Sequence, residues 1–340
     1  LATASRLSLR SAVLLSALAA VSALTVPAAA QQQRPYQGKG ATAQEPAQEP
    51  APAAKPPAPA PVQAPAPPVA AHHGGFRIQG KASRNAHGGS FKVVYGAIQD
   101  EHFKEIQKIF RETQLLEETA KGLNDVFVLP TNVTITLTQC GEANAFYTPE
   151  NKTVSLCYEL IDQLSDMFLA DAKSKEEQED AGEAIAGATM FTLYHELGHA
   201  LIDIYDLPVT GREEDAVDQL ATILLVEGGD DGEAAALNGA LSFLSDEEDS
   251  ADDATDADDS AEVSEEEEEP ADISYWDEHS LGEQRFYNII CWIYGKDPEG
   301  YEDLVTDGTL PQERAARCAE EYAKMTRSWD VLLSPKIKAD

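Results

Sequence analysis

The chain has 340 residues, 43% hydrophobic and 25% charged, enough to bury one good core and at most two. Sixty acidic against twenty-five basic residues leave a net charge of −35, which repels phosphate backbones and anionic headgroups and excludes nucleic acid as a partner. Four cysteines without a C-x-x-C spacing exclude a zinc ribbon or a thioredoxin-type motif.

The first predicted element is a targeting segment. Arg6 and Arg10 precede an apolar run from about Ala12 to Val26, which ends in Pro27-Ala28-Ala29-Ala30. A basic start, a short apolar stretch and an A-x-A site predict a signal peptide over residues 1–30, with no stable membrane span once it is removed. Such a protein is exported, to the periplasm or beyond. Residues 31–71 alternate Ala, Pro, Gln and Glu, and proline's fixed φ and missing donor predict a disordered, polyproline-like linker, bounded at 31–89. His72-His73 within it reads as incidental.

A folded domain is expected over residues 90–340. Phe91–Tyr95 and Val133–Leu137 alternate as strands, and Glu101–Leu123 carries a helical apolar period. Ala145–Tyr147 and Thr153–Leu156 flank Thr148-Pro149-Glu150-Asn151, the pattern of a hairpin. Helices follow at about Tyr158–Ala172, Ala184–Tyr205, from Gly211, Glu233–Leu244, Ser280–Tyr294 and Glu313–Met325, with a charged loop over Lys173–Asp180. Pro208 stops the long helix. Strands first and helices after predict an α+β layout. Local pairing, Cys140 with Cys157 and Cys291 with Cys318, is the simplest disulfide set for an exported chain.

Between Asp246 and Asp272, sixteen of twenty-seven residues are acidic and none is basic. The tract lacks the order and glycine of an EF-hand loop, so a solvated, disordered insert over about 245–273 is expected rather than a calcium store or an inhibitory substrate mimic.

The chemistry is concentrated in His195-Glu196-Leu197-Gly198-His199. Residues four apart share a helix face, so His195 and His199 can reach one metal ion, while Glu196, about 100° round the helix, can hold a water on it. Leu193, Leu197, Leu201 and Ile204 form the opposite apolar stripe. A catalytic zinc needs a third protein ligand and an open position. Glu214 and Asp218 share a face of the next helix and supply a ligand and a carboxylate behind it; Asp218 could accept the free N–H of His195. A solvated acidic helix start explains the same residues without a metal.

His195-Glu196-x-x-His199 with Glu214-x-x-x-Asp218 resembles the gluzincin clan of zinc metallopeptidases, of which thermolysin is the familiar member. Phe191–Leu201, Gly211–Asp215 and Gln284-Arg285-Phe286-Tyr287-Asn288 are similar to a bacterial, mostly exported family called metallopeptidases on the strength of the same motif. The resemblance implies a zincin-like fold, with a small sheet and hairpin beside the active-site helix and a helical C-terminal part. It also implies one zinc per chain and peptide or protein substrates. The separation of His199 from Glu214 is shorter than in thermolysin, so Asp218 is the rival ligand and Glu213 a distant third. Zinc would polarise the scissile carbonyl and acidify its water, and Glu196 would carry the proton to the leaving amine. His279 is the implied oxyanion stabiliser, with Arg285 its competitor and a helix start capped by Asp277 the plain alternative. A non-catalytic, metal- or cation-binding degenerate zincin is the competing function.

Overall fold

Four short strands build one sheet: β1 (Phe91–Tyr95), β2 (Val133–Thr138), β3 (Ala145–Thr148) and β4 (Thr153–Cys157), in the order β1-β2-β4-β3. The computed structural model describes residues 88–244 and 276–338; the expected signal peptide, nearly all of the linker and the acidic tract lie outside them. β1 and β4 run parallel to β2, and β3 is an antiparallel edge. A parallel return needs a crossover. Between β1 and β2 it is supplied by helices α1 (Phe103–Thr113) and α2 (Leu115–Val126). In-register pairing places Phe91, Val133, Ile135, Leu137, Val154 and Leu156 on one face, all buried, while Thr134, Thr136 and the exposed Val94 turn to the other. The β-branched residues suit that half-buried surface.

One helix was expected where α1 and α2 lie. The chain breaks at Gln114, which takes φ 55°, a left-handed conformation that ends one helix and starts the next. The break lets Phe103 and Phe110 from α1 and Leu115, Leu116 and Leu123 from α2 all enter the core.

After α3 (Tyr158–Leu169) comes the 31-residue α4 (Lys175–Tyr205). Its first turns occupy the stretch expected to be a charged loop. Ser174 accepts from the Glu177 N–H and Glu177 reaches back to the Ser174 N–H, a reciprocal cap that satisfies donors the charged run would leave to water. α4 ends at Asp206, in a left-handed conformation, where the N–H groups of Asp206 and Leu207 close onto Asp203 and Ile202. Phe191, Leu193, Tyr194, Leu197 and Leu201 are fully buried, each side chain contributing about 1.5–3 kcal/mol of burial.

Helices α5 (Glu213–Val226), α6 (Asp230–Ser242), α7 (Gly282–Lys296), α8 (Glu302–Thr306) and α9 (Gln312–Leu333) complete the described chain. α4 and α7 each pack on both α5 and α6, α5 packs on α6, and α9 packs on α7. Cys140–Cys157 joins the approach to β3 with the end of β4, and Cys291–Cys318 joins α7 to α9. Both pairs fit an oxidising environment. The fold is thus mixed α+β, a four-stranded sheet with a mostly helical remainder. No helix among the described residues is long and apolar enough to cross a membrane.

Candidate metal centre

The middle of α4 is buried on nearly every side, so the polar residues there must find partners inside the protein. His195 and His199 lie one turn apart, ring centroids 5.1 Å from each other. After a turn through Pro208 and Gly211, α5 folds back against them. The two helices touch at Gly198, where a Cβ would stand 2.7 Å from the Cβ of Val217. Only glycine allows that approach, and the approach brings the acidic first turns of α5 to the imidazoles.

Glu214 lies between them. Its Oε2 is 3.1 Å from Nε2 of His195 and 3.2 Å from Nε2 of His199, and one ligand atom from each residue lies within 4.8 Å of the other two. Zinc bonds of about 2.0–2.1 Å set tetrahedral ligand atoms about 3.3 Å apart, so this donor set fits a single zinc-sized cation. The far side of each ring is held as well. His195 Nδ1–H donates to Asp218 Oδ1 at 2.7 Å, and His199 Nδ1–H donates to Glu213 Oε1 at 2.8 Å. Carboxylates on both Nδ1 atoms hold the proton that a neutral ring keeps, so that each Nε2, turned to Glu214, can carry the lone pair that a metal requires.

Asp218 stands behind His195 and not among the Nε2 atoms. Arg285 donates to it twice, from Nε to Oδ2 and from Nη2 to Oδ1, each at 2.8 Å, with the guanidinium 3.7 Å from the centre of the Phe243 ring. That fork occupies Arg285, so it backs the imidazole rather than facing the open side of the cluster as an oxyanion donor. Glu213, weighed as a ligand from the sequence, stands behind His199.

Glu196 is buried and its Oε1 lies 4.0 Å from His195 Nε2. Burial pushes its carboxyl pKa up, against the pull of the two histidines and a hydrogen bond from the Tyr147 main chain on β3. Burial would pull His195 down, but hydrogen bonds to Asp218 and Glu214 outweigh it and raise its pKa to about 9. Burial would also raise Asp218 and Glu214; Arg285 and His195 hold the first below the usual carboxylate range, and three imidazoles hold the second there.

The third of those imidazoles is His279. It lies in the loop before α7, whose first turn starts at Gly282, so Asp277 caps no helix; it accepts the His279 N–H at 2.8 Å and faces His279 Nδ1 at 3.2 Å. His279 Nε2 is 3.2 Å from Glu214 Oε2, and its ring lies 6.2 Å from that of His195. The loop is tied to the start of α5 by Ser280 Oγ donating to Asp215 and by Arg212 donating to the His279 carbonyl.

A second group of metal-ligating types, Cys140, Cys157 and Glu159, has its sulfurs in a disulfide. Its carboxylate instead accepts the N–H groups of Cys140 and Gly141.

In a comparison with known families, residues 95–333 fit one described as "Putative metallopeptidase". The chain belongs to this family. The match covers well over half of the sequence and contains every residue of the cluster. No curated protein and no solved structure matches the chain. Within the family domain, the sequence brought forward His195, His199, Glu214, Glu196, Asp218 and His279, and all six meet in one place. Two contacts had no foreshadowing. The partnership of Arg285 with Asp218 spans 67 residues. The Tyr147 main chain reaches Glu196 from another element, although the hairpin itself was legible.

Proposed function

We propose that the chain is a zinc-dependent peptidase of the zincin type that acts after export and removal of residues 1–30. The observation that carries this reading is the convergence of His195, His199 and Glu214 beside a buried carboxylate, Glu196, which takes no place among the three. His195, His199 and Glu214 would hold the cation. When bound, it supplies Lewis acidity that polarises a peptide carbonyl and acidifies a water.

The protein's own groups do the rest. Glu196, its pKa raised by burial, takes the water's proton and delivers it to the departing amine, as a base poised nearer neutrality does best. Asp218 and Glu213 keep the two rings in the required tautomer. His279, its pKa raised chiefly by Glu214, stands at the side of the cluster, and its Nε2–H, which faces Glu214 here, would turn to charge developing on the carbonyl oxygen once a cation engages that carboxylate. An extended peptide would lie along β3, the sheet edge nearest the cluster, and gain main-chain hydrogen bonds there.

Glu196→Gln tests the reading. The variant should retain one zinc per chain by elemental analysis and lose at least about 100-fold in hydrolysis of a peptide library, the low end of a general base's contribution. A wild-type protein that binds zinc and cleaves nothing in the library would transfer the argument to a degenerate, metal-binding zincin.

A further inference from the structure

We infer that Tyr147 is a two-point staple that fixes the gap between the sheet edge and the active-site helix, with Asp203 and Lys152 as its anchors. Pairing parity in the hairpin decides where its main chain points. The Cys157 N–H donates to the Asn144 carbonyl, so Asn144 and Cys157 form a hydrogen-bonded pair. With the antiparallel register, the next such pairs are Phe146 with Ser155 and Thr148 with Thr153. Ala145 and Tyr147 therefore turn their amides and carbonyls outward, away from β4. The outward Tyr147 amide meets the Glu196 carboxylate.

The same residue reaches α4 a second time through its side chain. The Tyr147 hydroxyl donates to Asp203 Oδ2 at 2.6 Å, and Lys152 Nζ pairs with the same oxygen at 2.6 Å. Asp203 lies seven residues after Glu196, two turns along the same face of the helix. One residue thus spans two turns of α4, main chain on the base and side chain on the carboxylate beyond it. The turn supports this assignment. Lys152 occupies a left-handed position, φ 56°, where glycine or asparagine fits best, and its ammonium is delivered to Asp203. The staple makes Tyr147, Asp203 and Lys152 positioning residues, since they act through Glu196 and the strand edge and not on substrate.

The kinetic consequence rests on the peptidase reading; the structural one does not. Amide exchange of Tyr147 should therefore be followed alongside turnover and zinc content in Tyr147→Phe, Asp203→Ala and the double variant, alanine leaving the hydroxyl no acceptor. Each single change should speed exchange of the Tyr147 amide about tenfold, the loss of one ordinary hydrogen bond's protection. The double variant should be no faster than either single, because both cut the same tie. One zinc per chain should remain, with kcat lowered about tenfold and KM changed less. Lys152→Arg, which keeps the ion pair, should behave as wild type. Unchanged exchange in both singles, or additive effects in the double, overturns the staple even if peptidase activity is present. Faster exchange in a wild-type background that cleaves no peptide leaves the staple standing and removes the peptidase reading.

Discussion

Replacing Asp218 with asparagine isolates the support beneath the metal centre. The aspartate side chain is 4% exposed and its partner Arg285 13%, and both carboxylate oxygens are engaged, Oδ1 by His195 and Arg285 and Oδ2 by Arg285 alone. Asparagine offers one acceptor, so its amide N–H must confront a guanidinium or imidazole N–H. Removing one partner of a buried ion pair costs about 3–5 kcal/mol. The stack of Arg285 on Phe243 and its residual exposure favour the low end, about 3 kcal/mol. A domain of this size loses roughly 2–4 °C of Tm per kcal/mol, so the metal-free variant should melt about 6–12 °C below wild type. Loss of a carboxylate behind a ligating imidazole should also weaken zinc binding about 10–100-fold. A second variant separates the two effects. Asp218→Leu with Arg285→Met removes the buried charges together and should recover much of the stability, while zinc affinity stays low because His195 still lacks its acceptor. Scanning calorimetry in chelator and competitive zinc titration read the two quantities. An Asp218→Asn protein melting within about 2 °C of wild type, or a double variant with full zinc affinity, would refute the chain of support from Arg285 through Asp218 to His195.

Two more outcomes follow from local geometry. Gly198→Ala places a methyl 2.7 Å from Val217 Cβ, so α4 and α5 must separate; an overpacking cost of about 1–3 kcal/mol and weaker zinc binding should appear together in melts and titrations. Stability retained with normal zinc affinity would mean that the helices have slack. Glu159 has its carboxyl pKa lowered, burial opposing but the N–H groups of Cys140, its own backbone and Gly141 prevailing. A depressed folded-state pKa contributes stability above the unfolded value of about 4.3 that is lost as pH falls through the folded value. Urea melts from pH 6 down to pH 2 should therefore show a decline that is smaller in Glu159→Gln, and parallel curves for the two proteins would contradict it.

The legible part of the structure was whatever repeats at short range. The strands declared themselves by alternation, and the His195–His199 face and the Glu214–Asp218 face by spacing of four. The capping pair Ser174 and Glu177 was also present in the chain, but the density of charge around it made a loop the simpler expectation. Gln114 carries no signal for its left-handed conformation; tertiary demand for Phe110 and Leu115 in one core imposes it. The ranking of Glu214 over Asp218 was open because it depends on where α5 sits against α4. That in turn is set by Gly198 meeting Val217, a contact no periodicity reveals. Arg285 was legible as a competitor of His279 for oxyanion stabiliser, yet its direction depends on a packing of α7 that only the fold supplies.

The acidic turns of α5 explain why the cluster suits a dication better than an ordinary buried ion pair. Glu213, Glu214 and Asp218 approach from one helix, Glu196 from another and Asp277 from the loop, and within this group Arg285 is committed to Asp218. Neutral imidazoles leave a strong excess of negative charge, and protonating them to balance it would remove the Nε2 lone pairs. Charging the rings and binding a cation are therefore competing solutions to one electrostatic problem. The carboxylates on the Nδ1 atoms favour the second, since they accept the one proton that a neutral ring keeps and leave the other nitrogen bare. A site built only for stability would be cheaper as apolar packing. Two histidines and four acids at a helix contact that only glycine permits form instead a group that could hold a metal ion, as the family's description suggests.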